Sequence, residues 1–385
     1  MSTVATEATR EEFGLWYEEQ AGTPVRRLLC AFAARVAGGP APGPFARALV
    51  RVLDRHPECR STFAVDADGR LVKTPDAGPA VGVPVFGPEH RPSDVVGALA
   101  REPLSAVTGP VLRLAVRVDR SGAVDHVFGV AHHVVWDGRS EELFWDALAR
   151  ELAGEPTGTG PLDDPPVTVV RSREGGPDDT TTDPQWMVVL GDQTWDRARR
   201  RARENALTPF AWVVGHLATG VAAWSGQAVT PYIDVDLRAV DDGARDRIGY
   251  FQTQRRLREV DLGVPGPEAA RRVLADVAGL AARALTTGLP PERETPRPDT
   301  RACKFYLRAP RPDREGGVLS PVDIALPVAR NDLAVGVTSE GSRVRLTVTA
   351  RQDLFGLDEP ARLGRRLLTA LDTAAHGSRQ GDEEA

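Results

Sequence analysis

The feature that most constrains the fold is a long polar break near the middle of the chain. Residues Glu155–Asp183 are rich in Pro, Gly, Asp and Thr and contain one short apolar island, Val167–Val170. Segments with helical and strand periodicity lie on both sides of this break. A chain of 385 residues is long for a single core. The sequence therefore predicts two α+β domains, residues 1–160 and 186–385, joined by a crossover at 161–185.

Composition argues against several functional classes. The chain is 41% hydrophobic and 26% charged, as a globular protein should be, and its net charge of -6 does not suit nucleic-acid binding. No apolar run reaches the roughly 18 residues that span a membrane. The first residues include no hydrophobic signal segment. These observations predict a cytoplasmic protein without nucleic-acid or membrane partners.

Two adjacent histidines end an apolar strand pattern at Asp125–His133. Strand alternation places His132 with the large apolar side chains and His133 on the face of Gly129 and Ala131. Small residues leave room there for a ligand or a close backbone, so we expect chemistry at His133 and a hydrogen-bonded core position for His132. The two rings cannot bind one ion, because neighbouring strand residues point apart. We therefore predict no metal site.

An Asp-Gly pair follows the histidines and precedes a helical pattern. Gly138 permits unusual backbone angles and close approach. Asp137 could cap the helix or hold an arginine. A neutral histidine can accept a proton near pH 7. The pattern alone leaves two interpretations open: a catalytic histidine, or core histidines followed by a cap.

The histidine segment also carries a family resemblance. His132-His133-x-x-x-Asp137-Gly138 resembles the HHxxxDG signature of the condensation domains of nonribosomal peptide synthetases. Further segments resemble other motifs of that family, in the family's order: Glu11–Trp16, Arg55–Phe63, Thr208–Ala211 with Trp224–Gly226, Ile248–Gln254 running on to Arg258, and Asp332–Val337 with Asp353–Phe355. The resemblance covers almost the whole chain.

The sequence also departs from the family pattern. Trp136 stands before the Asp where the family has a smaller residue, and Thr253 and Gln254 replace the usual Asn and Thr. The family's aromatic motif is missing from the crossover. No adenylation or carrier segment accompanies the unit, which indicates a free-standing enzyme.

The resemblance implies a fold and a reaction. The fold would be two chloramphenicol acetyltransferase-like lobes in a V-shaped pseudo-dimer, with the active site at their interface. The donor would be an acyl or aminoacyl thioester on the phosphopantetheine arm of a carrier protein, with no permanently bound cofactor. The acceptor would be an amine or a hydroxyl, on a second carrier or free in solution. The alternative is a catalytically silent domain that recruits a partner protein to a synthetase.

The resemblance also assigns roles to residues. His133 would be the base or positioning residue, and the Gly138 N–H would help to stabilise the oxyanion. Asp137 would pair with an arginine, with Arg238 as the first candidate and Arg60 as the second. Tyr250, Gln252 and Thr253 would border the substrate channel. Trp136 would either line that channel or pack under the helix.

Overall fold

The structure is a computed structural model that describes residues 4–75, 81–154, 167–169, 183, 185–239, 242–286, 300–311, 317–322, 324, 326, 328–340 and 343–376. Its helices are α1 Arg10–Gln20, α2 Pro42–Asp54, α3 Pro92–Arg101, α4 Gly138–Leu152, α5 Asp192–Glu204, α6 Pro209–Ser225, α7 Gly266–Thr286 and α8 Glu359–His376. Its strands are β1 Thr6–Glu7, β2 Leu29–Val36, β3 Thr62–Val65, β4 Leu71–Thr74, β5 Val83–Phe86, β6 Leu112–Val118, β7 Val124–His132, β8 Val167–Val169, β9 Gln185–Leu190, β10 Ala228–Asp236, β11 Gln252–Arg256, β12 Thr300–Arg311, β13 Leu319–Val322, β14 Leu333–Glu340 and β15 Arg343–Ala350.

Side-chain caps define where several helices begin. At α1, Thr9 and Glu12 form a reciprocal capping box. At α6, the Thr208 hydroxyl accepts a hydrogen bond from the Ala211 N–H at 3.1 Å. Within the described ranges, no single helix is long and apolar enough to cross a membrane. The helical segments Gln193–Glu204 and Pro209–Ser225 reach the necessary length and apolar composition only when they are counted as one segment, and they are bent by 105° relative to each other.

The first compact unit contains Met1–Asp179, Asp236–Gln252 and Asp313–Leu326. Its main sheet has the order β13-β2-β7-β6-β5-β8, and β1, β4 and β3 form a smaller sheet. Alternate residues of β7 enter different apolar clusters. Val127 and Ala131 pack with α2 and α4, whereas Phe128 and Val130 pack with α3. The main sheet therefore has helices on both faces.

The second unit contains Thr180–Val235, Thr253–Pro312 and Pro327–Ala385. Its sheet has the order β11-β10-β12-β14-β15-β9, and helices α5, α6, α7 and α8 contribute to its apolar core. Strands β10, β12 and β14 pair in parallel, whereas β14, β15 and β9 pair antiparallel. Both units are thus α+β with mixed sheets, since β5 of the first unit also pairs in parallel with β6 and β8. The parallel pairing of β10 with β12 is possible because helix α7 lies in the connection between these two strands.

The units differ from the continuous ranges 1–160 and 186–385 that the sequence predicts, because Asp236–Gln252 and Asp313–Leu326 belong to the first unit. Most of the predicted crossover, 161–185, lies outside the described residues. Its apolar island forms β8, which pairs in parallel with β5. Local sequence patterns do not predict β5 or β12. They predict a strand at Val322–Val328, and this range shares only Val322 with the observed β13, Leu319–Val322.

His216 on α6 is expected to make the stability of the protein depend on pH. Its Nδ1–H donates to the Trp212 carbonyl at 2.7 Å, and its ring lies against the Trp212 ring. Burial lowers the pKa of His216 below the ordinary 6.5, an effect that the hydrogen bond only partly opposes. The unfolded chain therefore binds the proton more readily. The associated stability is present above pH 6.5 and is lost as pH falls through the lower pKa of the folded state.

We expect His216→Gln to lose less stability on acidification than the wild type. The measurement is the urea midpoint at about pH 7.5 and about pH 5.5. Equal acid sensitivity in the two proteins would show that His216 does not contribute.

Candidate active site

The histidine segment forms a tight turn between a strand and a helix. Strand β7 ends at His132, residues His133–Val135 form one 3₁₀ turn, and α4 begins at Gly138. His133 therefore does not belong to the strand, and strand alternation is the wrong reason for the separation of the two histidines. Their side chains diverge because the backbone leaves the extended conformation between them.

The orientation of His133 is set by its own turn. Its Nδ1 lies 3.0 Å from the Trp136 carbonyl oxygen. A carbonyl can only accept a hydrogen bond, so this contact requires the proton on Nδ1 and leaves the lone pair on Nε2. The side chain is half-buried, and the Tyr250 ring meets it edge-on, with centroids 6.0 Å apart. Nε2 is thus the nitrogen that can accept a proton.

His132 is fully buried, as the sequence predicts. Its Nδ1 accepts a hydrogen bond from the Val134 N–H at 3.1 Å, and its Nε2 lies 3.4 Å from a carboxylate oxygen of Glu19. The His132 ring therefore lies against the 3₁₀ turn and accepts the N–H of its middle residue, Val134.

Asp137 joins the turn to a distant segment. One carboxylate oxygen caps α4 by accepting the Ser140 N–H at 2.8 Å. The other accepts from Arg238 Nη1 at 2.8 Å and from the Phe251 N–H at 2.9 Å. Both oxygens of this buried carboxylate are thus engaged. Asp137 is a cap and an arginine partner at once, so both roles considered from the sequence are present.

Arg238 is the arginine that pairs with Asp137. Its guanidinium is buried and also donates to the Ser140 hydroxyl at 3.0 Å and to the Gly249 carbonyl at 3.1 Å. The Ser140 hydroxyl donates in turn to the same Gly249 carbonyl at 2.7 Å. Arg60, the second candidate, instead forms an ion pair with Asp54 at 3.0 Å. The second candidate is wrong, because Arg238 holds Asp137 and the Arg60 guanidinium binds the Asp54 carboxylate instead.

Trp136 does not line a channel. It is only 1% exposed, and its ring stacks on Phe32 with centroids 4.4 Å apart. Phe144 meets both rings edge-on. The assignment of Trp136 to the substrate channel is therefore wrong, because its ring belongs to the core under α4. Only its backbone carbonyl takes part in the site.

The space above Gly129 is filled by the same aromatic cluster. A Cβ at this position would overlap the ring of Phe32. We expect Gly129→Ala to destabilise the protein by about 1–3 kcal/mol, since the ring cannot move without disturbing the stack on Trp136. Gly97, in α3, provides the matched control, because its Cβ would meet no atom within 4 Å. Gly97→Ala should stabilise the helix by about 0.5–1 kcal/mol. Equal free energies of unfolding for the two variants in urea would contradict this account.

The remaining candidates lie in different places. Tyr250 is buried beside His133. Gln252 lies beside Gly138, since a Cβ added to Gly138 would be 3.8 Å from the Gln252 amide nitrogen. Thr253 belongs to the second unit, where its hydroxyl accepts a hydrogen bond from Arg255. Tyr250 and Gln252 thus join the histidine turn within the first unit.

Sequence reasoning missed Ser140, Phe251 and Glu19. Ser140 had one available signal: a small polar residue three positions after a helix cap, on the buried side of an amphipathic helix. Phe251 donates its backbone N–H to the Asp137 carboxylate. The guanidinium carbon of Arg238 lies over the Phe251 ring, 4.4 Å from the centroid of that ring. No local pattern identifies Glu19, since its partners lie far along the chain. No group of three or more His, Cys, Asp or Glu in the described ranges could hold a metal ion.

Comparison with solved structures identifies the fold. The first condensation domain of the calcium-dependent antibiotic synthetase, in complex with a substrate analogue, superposes with a TM-score of 0.75 at 17% identity, covering 97% of both chains. This chain has the condensation-domain fold. The condensation domain of the monacolin K polyketide synthase matches at 0.73 and 16% identity, over 98% of this chain and 99% of that one. The epimerization domain from the third module of tyrocidine synthetase B matches at 0.72 and 13% identity, over 97% of both.

The condensation-domain fold is therefore shared by domains with different names and activities. No protein-family profile and no curated protein sequence matches the chain. The fold by itself does not distinguish condensation from epimerization, so the assignment of a reaction to this chain depends on the residues of the histidine turn.

Proposed function

We propose that this protein acts as a condensation enzyme. It transfers an acyl or aminoacyl group from a carrier-protein thioester to an amine or hydroxyl acceptor. The observation that carries the proposal is the 3.0 Å contact between His133 Nδ1 and the Trp136 carbonyl. This contact leaves Nε2 as the proton acceptor on a half-buried ring.

The chemical step uses His133 twice. Nε2 accepts the proton of the acceptor's N–H or O–H while the acceptor's lone pair attacks the thioester carbonyl carbon. The tetrahedral intermediate then collapses as the carbon–sulfur bond breaks. The imidazolium returns the proton to the departing thiolate, and the products are an amide or ester and the free thiol of the carrier arm. One histidine thus serves as general base and then as general acid.

Two donors beside the turn suit the developing oxyanion. The Gly138 N–H occupies the first position of α4, where backbone N–H groups lack helical partners and the helix dipole favours negative charge. The Gln252 amide lies next to Gly138. We assign these two groups to stabilisation of the oxyanion.

Asp137 is not a second base in this mechanism. Its two oxygens already accept hydrogen bonds from the Ser140 N–H, the Phe251 N–H and Arg238. Neither oxygen is therefore left without a donor to receive a proton from a substrate. Its role is to hold the segment that carries Tyr250 and Gln252 against the histidine turn.

The proposal also names partners. The acyl donor arrives on the phosphopantetheine arm of a carrier protein, which is a substrate and not a resident cofactor. We place the reaction in the cytoplasm. The three free cysteines are compatible with a reducing compartment.

The test incubates the purified protein with an acyl-loaded carrier protein and a panel of amines and alcohols. Mass spectrometry follows the loss of the acyl group from the carrier and the appearance of amide or ester. We expect turnover that requires both substrates. Carrier binding without turnover would favour the silent, partner-recruiting alternative. Exchange of the α-hydrogen of an aminoacyl thioester in D₂O without transfer would point to epimerization instead.

A further inference from the structure

We infer that Glu19 is a positioning residue that acts on His133 through His132. Its effect on catalysis rests on the proposed function; its effect on the histidine tautomers does not. Glu19 lies in the last turn of α1. A carboxylate at a helix C-terminus is unfavourable, because the helix dipole places partial negative charge there. Its position is therefore not explained by the stability of α1.

The Glu19 carboxylate faces the interior of the first unit. Its side chain is 9% exposed. Oε1 accepts from the Ser105 hydroxyl at 3.2 Å, and Oε2 accepts from the Ala106 N–H at 3.1 Å. Oε2 also lies 3.4 Å from His132 Nε2. The neighbouring Glu18 is exposed.

These contacts select one tautomer of His132. The Val134 N–H donates to Nδ1 at 3.1 Å, so Nδ1 cannot carry a proton. The proton of the neutral ring is therefore on Nε2, which lies 3.4 Å from the Glu19 carboxylate oxygen without the geometry of a hydrogen bond, so the carboxylate acts on it through its charge. In the opposite tautomer, the Nδ1–H of His132 would point at the Val134 N–H. The lone pair of Nε2 would then lie toward the negatively charged Glu19 carboxylate. The carboxylate thus favours the only tautomer that can hold the Val134 N–H.

The same 3₁₀ turn connects His132 to His133. Val134 is the middle residue of the turn His133–Val135, and the Trp136 N–H closes the turn on the His133 carbonyl at 3.1 Å. Trp136 then presents the carbonyl that accepts the His133 Nδ1–H. Helix α1 also packs on this turn, since Leu15 shares a buried cluster with Val134 and Val135. An ordered series of contacts therefore runs from Glu19 through His132 and the turn to the His133 ring.

The test compares Glu19→Gln with Glu18→Gln as the matched control. Long-range ¹H–¹⁵N correlation spectra of histidine-labelled protein report which ring nitrogen carries the proton. In the wild type we expect Nε2–H at His132 and Nδ1–H at His133. Glu19→Gln should introduce the second tautomer at His132 and mobility at His133, and Glu18→Gln should match the wild type. Ser105→Ala, which removes a hydrogen bond from the same carboxylate but keeps its charge, should retain the wild-type tautomers and controls for general loosening.

The kinetic measurement separates positioning from substrate binding. We expect Glu19→Gln to lower kcat by about ten- to a hundredfold with KM nearly unchanged, since a small displacement of a catalytic group costs rate. Wild-type tautomers and wild-type kcat in Glu19→Gln would overturn the inference. So would a shift of equal size in Ser105→Ala. If the wild type shows no turnover but Glu19→Gln still changes the tautomers, the proposed function fails and the structural coupling stands.

Discussion

Replacing His133 with Asn is expected to lower the rate of amide or ester formation by about 10²–10⁴-fold. The Asn side-chain N–H₂ can occupy the place of Nδ1–H and keep the hydrogen bond to the Trp136 carbonyl. Nothing in the Asn side chain replaces Nε2 as a base. The variant therefore removes the proton acceptor and leaves the turn in place. The measurement is single-turnover transfer from an acyl-loaded carrier at saturating acceptor, followed by mass spectrometry.

The matched control is His90→Gln, a histidine in the loop before α3, with its Nδ1 3.4 Å from the Gly87 carbonyl. This variant should retain wild-type turnover. His133→Ala should lose as much activity as His133→Asn and also some stability, because it lacks the hydrogen bond to Trp136. Full turnover in His133→Asn with a wild-type melting temperature would remove His133 from the mechanism.

Breaking the Asp137–Arg238 pair should have the largest effect on stability. Both side chains are buried and each makes several polar contacts, so water does not reach the charge that remains when one partner is removed. Removing one partner of a buried ion pair typically costs about 3–5 kcal/mol, because the other charge is left uncompensated. Asp137→Asn should already show much of this loss. Three donors converge on Asp137, and an amide has only one acceptor oxygen.

Arg238→Met tests the same pair from the other side. It would leave Asp137 with only two backbone donors and remove the contacts to Ser140 and Gly249. The double variant Asp137→Asn/Arg238→Met should be less destabilised than the sum of the single variants, since neither charge remains buried alone. Urea unfolding of the four proteins completes the cycle. Additive losses would mean that the pair contributes no coupling and that its partners act separately.

Activity should follow stability in these variants but not in His133→Asn. Asp137 and Arg238 hold the segment with Tyr250 and Gln252, whereas the proposed mechanism uses His133 in the reaction itself. This contrast distinguishes a catalytic group from the framework around it.

Much of the candidate site could be predicted from sequence because its signals are local. The alternation along β7, the Asp-Gly turn and the amphipathic pattern of α4 each involve neighbouring residues. Those signals predicted a buried His132 at the end of a strand and a cap at the start of a helix, whereas the direction of the His133 side chain depends on a 3₁₀ turn that strand alternation did not predict. Strands β12 and β5 lacked such a signal, because each contains a proline, Pro310 or Pro84, and neither alternates strictly between polar and apolar residues.

Sequence alone therefore determined most of the helices and strands, the Asp-Gly turn and the alternative interpretations of Asp137 and Trp136. Tertiary structure decided between them. It paired Asp137 with Arg238, 101 residues away, rather than with Arg60, and it buried Trp136 against Phe32. It also brought Glu19 to His132. The physical reason is that local periodicity records which face of an element is apolar, whereas pairing across the chain depends on which faces the fold brings into contact.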